Sequence, residues 1–168
     1  MTIGTGTVFH LRSPLASYHL GVKQDVHQLA AQRLRRISQR YTAGRRRIVE
    51  VLAAAGHPLT IPEIVGSDSD LATSSVYRNL VTLEHAGVAT RIVTSQEHAR
   101  FELSEPFNRH HHHLVCVDCG KVDDFILPKG VEESLDSALR RAAQKEGFAP
   151  TDHRLDLTGT CPDCQAAG

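Results

Sequence analysis

The stretch Thr73-Ser74-Ser75-Val76-Tyr77-Arg78-Asn79-Leu80-Val81-Thr82-Leu83-Glu84-His85-Ala86-Gly87 has the apolar spacing of an amphipathic helix. At the helical pitch, Val76, Leu80 and Leu83 fall within an arc of ~60° and must face a core. Ser74, Arg78, Val81, Thr82 and His85 are left on the opposite side, with Tyr77 on the flank, so the outward face is short and polar. Thr73 is placed to cap this helix and Gly87 to close it. Upstream, Val26, Leu29, Ala30, Leu34 and Ile37 recur at helical spacing. Thr42 opens a second helix carrying Ile48, Val49 and Leu52 and ending at Gly56, and Thr60 to Val65 fits a short third. Downstream, Val88 to Val93 and Arg100 to Leu103 are strand-like and joined by Thr94 to Ala99. Helices followed by a hairpin predict a winged helix-turn-helix, whose last helix enters the major groove while the hairpin rides the phosphates.

The charge supports this division. The 168 residues carry 19 Lys and Arg against 19 Asp and Glu, with 40% apolar residues, 4 Cys and 11 His. A cut after Ser104 leaves 12 basic and 8 acidic residues before it and 7 basic and 11 acidic after it. Lys23, Arg33, Arg35, Arg36, Arg40, Arg45, Arg46 and Arg47 are concentrated in one run opposed by Asp25, a footprint for a polyanion. The length suits one ordinary domain or two small ones and excludes a large multidomain enzyme. The chain is expected to have an extension at 1–24, a winged-helix DNA-binding domain at 25–104 and a metal-binding dimerisation domain at 105–168. No apolar run reaches the ~20 residues of a membrane span and no signal-peptide pattern opens the chain, so a cytoplasmic protein with no membrane partner is expected.

The second half alternates strands with one helix: His110 to Val117, Lys121 to Leu127, the amphipathic Gly130 to Glu146, and Arg154 to Thr158. The fold class is therefore α+β, a winged helix followed by a small α/β unit. Cys116-Val117-Asp118-Cys119 and Cys161-Pro162-Asp163-Cys164 each set two thiolates on a tight turn, and together they supply the four sulfurs of a closed structural Zn2+ site. Disulfides are the rival reading, disfavoured in a reducing compartment. His110-His111-His112-His113 runs directly into Leu114-Val115-Cys116. In an extended strand His110 and His112 point one way and His111 and His113 the other, which gives two separate half-sites. Neutral imidazole suits zinc, iron(II) or nickel.

Thr42-x-x-Arg45, Ser75-Val76-Tyr77-Arg78-Asn79-Leu80, Phe101-Glu102-Leu103, the histidine run leading into Cys116-x-x-Cys119-Gly120-Lys121, and His153 ahead of Cys161-x-x-Cys164 follow one another in a single chain. Together, over about residues 25 to 164, they resemble the ferric uptake regulator family of homodimeric metal-sensing repressors. The resemblance implies a sensory metal site from His57, Glu102, His111 and His113 with Asp124 as a fifth ligand. It implies a second site from His110, His112, Glu132 and His153. Glu133 stands beside Glu132, and the loop before His110, longer than in many members, puts Glu105 in competition. Tyr77 and Arg78 would touch DNA and Arg40 would reach the minor groove, while Arg45 and the other arginines meet phosphates and the Ser74, Tyr77, Arg78 and Thr82 face reads bases. The regulatory metal is expected to be Fe2+ ahead of Zn2+, with a zinc uptake regulator or a peroxide sensor as alternatives within the family.

These expectations assemble into a repressor of operator DNA that works as a homodimer with metal as corepressor. Ligands from both halves meet only in one relative orientation, which would set the two recognition helices ~34 Å apart. The chain is not expected to be an enzyme or to take a small-molecule substrate other than metal ions. The competing class, a zinc-dependent hydrolase, lacks its signatures here: neither His-Glu-x-x-His nor the deaminase His-x-Glu with Pro-Cys-x-x-Cys occurs, and there is no Gly-x-Ser-x-Gly elbow.

Overall fold

A computed structural model describes residues 23–93 and 99–167, with side chains from residue 26 onward. The expected extension, apart from its last two residues, and the turn of the first hairpin lie outside the described residues. The element order begins α1 (Lys23–Arg36), α2 (Ala43–Ala55), β1 (Leu59–Thr60), α3 (Ile61–Ser67), α4 (Thr73–His85), β2 (Ala89–Ile92) and β3 (Arg100–Leu103). After a 3-10 turn at Glu105–Phe107 come β4 (His112–Cys116), β5 (Val122–Phe125), α5 (Lys129–Lys145), β6 (Asp156–Gly159) and α6 (Pro162–Ala167).

The helix boundaries follow from local chemistry. Thr42 caps α2 by accepting from the Arg45 N–H, and Gly56 ends it in the left-handed region at φ 66°. Thr60 and Glu63 form a reciprocal capping box at α3, with Pro62 held in the first turn where its missing N–H costs nothing. Contrary to expectation, Thr73 is not the cap of α4. Ala72 takes that position without a side-chain hydrogen bond, and its carbonyl accepts the first backbone bonds from Ser75 and Val76. Gly87, at φ 66°, closes this helix, with the Val88 N–H returning to the Leu83 carbonyl.

The apolar stripe of α4 is buried as the wheel requires: Val76, Leu80 and Leu83 pack with Ile48, Val49, Ile64 and Phe101 in one core. Against that core lies an antiparallel sheet of order β1-β3-β2, so the chain builds a winged helix with an extra short strand. The second sheet has the order β5-β4-β6, with β4 antiparallel to β5 and parallel to β6 through the α5 crossover. Its small core of Val115 and Val122 is completed by Ile92, which comes from β2 of the winged unit. Arg100 also spans the two units: its Nε donates to the Gly120 carbonyl at 2.8 Å and its Nη1 to the Pro58 carbonyl and Glu63, each at 3.2 Å.

Helix α5 contributes no buried residue, although it is amphipathic, and its Val131 and Leu139 stay exposed, as does Phe148 just beyond it. Among the described residues no helix is long and apolar enough to cross a membrane.

Candidate metal centres

The four cysteines come from the end of β4, the turn after it, the turn into α6 and the first turn of α6. They are all free, and their sulfurs lie within 4.8 Å of one another. The Cys119 and Cys161 sulfurs are 3.7 Å apart. A tetrahedron with Zn–S bonds of about 2.3 Å has edges of about 3.8 Å, so the cluster has the size of a zinc cage rather than of a disulfide pair. Backbone N–H groups of Cys119 and Cys161 aimed at the Cys116 sulfur lower its pKa to about 6, while hydrogen bonding to Cys161 and Cys119 pushes the Cys164 thiol up. Four thiolates in this space repel one another, and a divalent cation is the group that would let all of them ionise.

A second group gathers Glu102 from β3, His111 just before β4, His113 in β4 and Asp124 from β5, where the sheet register sets His113 opposite Asp124. The Nε2 atoms of His111 and His113 lie 3.0 and 3.2 Å from the two oxygens of Glu102, and each is 3.9 Å from an oxygen of Asp124. Burial alone would raise the Glu102 carboxyl, but the two imidazoles overcome it and hold the pKa at about 2. The Glu102 hydrogen bond in turn lifts His111 to about 9, whereas burial raises Asp124. Oδ1 of Asp124 is buried without a hydrogen-bond partner and faces this group, an atom that a bound cation would satisfy.

The third group surrounds one carboxylate with three imidazoles. Glu132, in the first turn of α5, accepts from His110 and His112 at 3.1 and 2.8 Å, and the Nε2 of His153 lies 3.1 Å from it. His112 is 1% exposed, and the Nε2 of His153 is again buried without a hydrogen-bond partner. Glu132, not Glu133, joins the group: Glu133 lies on the exposed side of the helix next to Lys129. Parity along the histidine run therefore separates the rings as expected, even though β4 begins only at His112.

His57 departs from the expected set. Its Nδ1 meets the carbonyl of Pro58 at 3.3 Å, and the ring stands outside the four-residue group. It is near enough to act on Asp124 through charge, and it follows the left-handed turn at Gly56. Three residues beside these groups were not anticipated. Asp156 touches His113, Asp136 approaches His153 at 3.7 Å, and Asp152 forms a further acidic cluster with Glu105 and His110. Only their placement in three dimensions reveals them.

On the winged unit, Ser74, Tyr77 and Arg78 are exposed and Thr82 is half-buried, its hydroxyl returned to the Arg78 carbonyl. Tyr77 is 61% exposed, an unusual position for an aromatic ring with no partner surface. Arg40 is exposed, whereas Arg45 spends its donors inside the protein, on Asn79 of α4, Gln39 and the carbonyl of Arg40. Arg45 is thus a brace between the segment bearing Arg40 and the outward helix.

A profile of the ferric uptake regulator family matches residues 36–158. The ferric uptake regulation protein of Legionella pneumophila is 33% identical over 140 residues, covering 80% of this chain and 98% of its own. A peroxide-responsive repressor of Staphylococcus saprophyticus is 30% identical over 145 residues, covering 83% and 93%. The crystal structure of the Helicobacter pylori ferric uptake regulator, described as revealing three functional metal binding sites, superimposes with a TM-score of 0.66 at 25% identity, over 84% of this chain and 93% of that one. With its winged helix, its four-cysteine cluster and its two histidine-carboxylate groups, this chain belongs to the ferric uptake regulator family.

Proposed function

We propose that the protein is a metal-dependent transcriptional repressor, with metal as corepressor and iron(II) as the physiological ion ahead of zinc. The observation that carries this reading is the composition of the group around Glu102. One ligand comes from the last strand of the winged unit and three come from the second sheet region, so occupancy and domain orientation are coupled. Two imidazoles and two carboxylates without sulfur suit iron(II) and similar borderline ions. A divalent cation supplies there the positive charge that protons supply in its absence. His111, His113 and Glu102 then act as deprotonated donors, and the charge they share ties β3 to β4.

Residues 25–104 form the DNA-binding domain in this reading and residues 105–168 the dimerisation domain. Homodimerisation is supported by α5, whose apolar face is uncovered in the single chain. The Cys116, Cys119, Cys161 and Cys164 cluster holds structural zinc, the Glu102, His111, His113 and Asp124 group senses the regulatory metal, and His110, His112, Glu132 and His153 form an accessory site. His57 is proposed to join the sensory group only when the winged unit shifts toward it. Ser74, Tyr77, Arg78 and Thr82 read operator bases and Arg40 enters the minor groove.

The test is an electrophoretic mobility shift on operator fragments selected from genomic DNA, with iron(II), zinc or chelator. Metal-dependent retardation is expected, and it should be lost in a His111→Ala/His113→Ala double variant that keeps its helical circular dichroism. Equal binding in excess chelator would sink the reading. Peroxide sensing is a second reading, favoured by the two carboxylates at the group and the similarity to the staphylococcal repressor. It predicts that hydrogen peroxide irreversibly abolishes retardation by the iron-loaded protein, whereas a plain iron sensor recovers when iron is restored.

A further inference from the structure

Three histidines of the run turn Nε2 toward a carboxylate inside their group while Nδ1 faces an acceptor outside it. For His111 the outside acceptor is the Arg109 carbonyl at 2.7 Å, and for His110 it is Glu105. For His113 it is Asp156, whose Oδ1 lies 3.1 Å from Nδ1. Asp156 stands on β6, paired in register with His113 across the parallel β4–β6 ladder. Arg154 engages the same carboxylate with both arms, Nε to Oδ1 at 3.1 Å and Nη2 to Oδ2 at 2.9 Å.

We propose that Asp156 is a positioning residue of the sensory site: clamped by Arg154, it holds His113 as the Nδ1–H tautomer and so directs the Nε2 lone pair at the space shared with Glu102, His111 and Asp124. The inference rests on the reading of that group as a metal site. Asp156 does not serve as a ligand itself, because the guanidinium and the imidazole N–H occupy both of its oxygens. Its effect passes through the ring. A carboxylate accepting the far N–H of a ligating histidine fixes the ring's orientation and raises the basicity of the nitrogen that binds, and loss of such a partner typically costs 10–100-fold in metal affinity. The contrast within the same strand is His112, whose Nδ1 is buried with no acceptor and whose one hydrogen-bond partner, Glu132, faces Nε2.

The experiment is cobalt(II) titration of the full-length protein with zinc on its cysteines, in a His153→Ala background so that the absorption band reports the group around Glu102. Asp156→Asn keeps the shape and an acceptor oxygen but removes the charge, and is expected to weaken cobalt binding about 10-fold. Asp156→Ala removes both, and the expected loss approaches 100-fold, with Asp156→Glu recovering part of it. Long-range 1H–15N spectra of the metal-free protein, recorded where His113 is neutral, should show Nδ1 protonated in the parent and a shift toward the Nε2–H form, for which Glu102 is the acceptor, in the Ala variant. A purely structural role for Asp156 would leave that pattern unchanged. Equal cobalt affinity in the parent and the Asn variant, both folded, overturns the proposal. Failure of the parent itself to bind cobalt, or binding unaffected by His113→Ala, overturns the underlying metal-site reading instead.

Discussion

Glu102 is where charge from the two halves of the chain is balanced, and its protonation partners set a measurable pH dependence. His111 is lifted from an ordinary 6.5 to about 9 by that carboxylate. A histidine raised on folding contributes stability below its unfolded pKa and loses it as pH climbs through the folded value. The thermal midpoint of protein stripped of metal at the histidine groups should therefore fall between pH 6.5 and 9. Glu102→Gln should flatten that dependence. The low Glu102 value is the same interaction seen from its other end and adds no second contribution. Arg100 makes a different kind of prediction. It is largely buried and satisfies the carbonyls of Gly120 and Pro58 as well as Glu63, so Arg100→Ala strands two acceptors and should destabilise the fold by about 2 kcal/mol in urea unfolding. Arg100→Lys should recover little of this, because an ammonium cannot reach in two directions from one stem.

At the scale of elements, α5 is the helix with unfinished packing. If α5 forms the proposed dimer seam, Leu139→Glu should yield a monomer in sedimentation analysis while leaving the fold intact, because the side chain is 41% exposed within one chain. The amphipathic helices were legible because each is a local periodic signal: the three core positions of α4 are buried, and the Thr42 cap and Gly56 stop of α2 fall where their chemistry demands. What escaped was short or non-local. Strand β1 has two residues and no pattern of its own, and α6 is about a turn and a half that begins between the two cysteines of the second pair. The partnership of Asp156 with His113 depends on the register of a parallel ladder closed across α5, which no spacing rule encodes. Thr73 failed as a cap because the helix starts one residue earlier, and cap position is sensitive to a one-residue shift. Arg45 reads in the sequence as a phosphate contact of the basic run, and its bonds to Asn79 and Gln39 add a bracing role that the sequence does not show. Similarly, the four cysteines and the parity of the histidine run were readable, whereas no spacing encodes the place of His57 beside the group around Glu102 rather than within it.

Across the whole molecule, the winged unit and the second sheet meet through Ile92, Arg100 and the Arg154 contact to the Arg91 carbonyl at 3.5 Å. Replacing Ile92 with Ala removes the wing's contribution to the second core. It should cost about 2 to 4 kcal/mol, and it should loosen the coupling between metal and DNA more than it weakens either binding event alone. Mobility shifts with and without metal, compared with cobalt titration of the same variant, separate these effects. Strand β6 extends the coupling further. Its first residue, Asp156, lies against His113, and two residues past its end the chain delivers Cys161 to the sulfur cluster, while the Cys161 N–H reaches the Cys116 sulfur. The strand is thus a beam with the four-cysteine cluster at one end and, at the other, a ligand of the proposed sensory group. On the proposed assignments, whatever zinc at the cysteines contributed to affinity at the group around Glu102 would be returned in kind, so a cell short of zinc would also misread its regulatory metal.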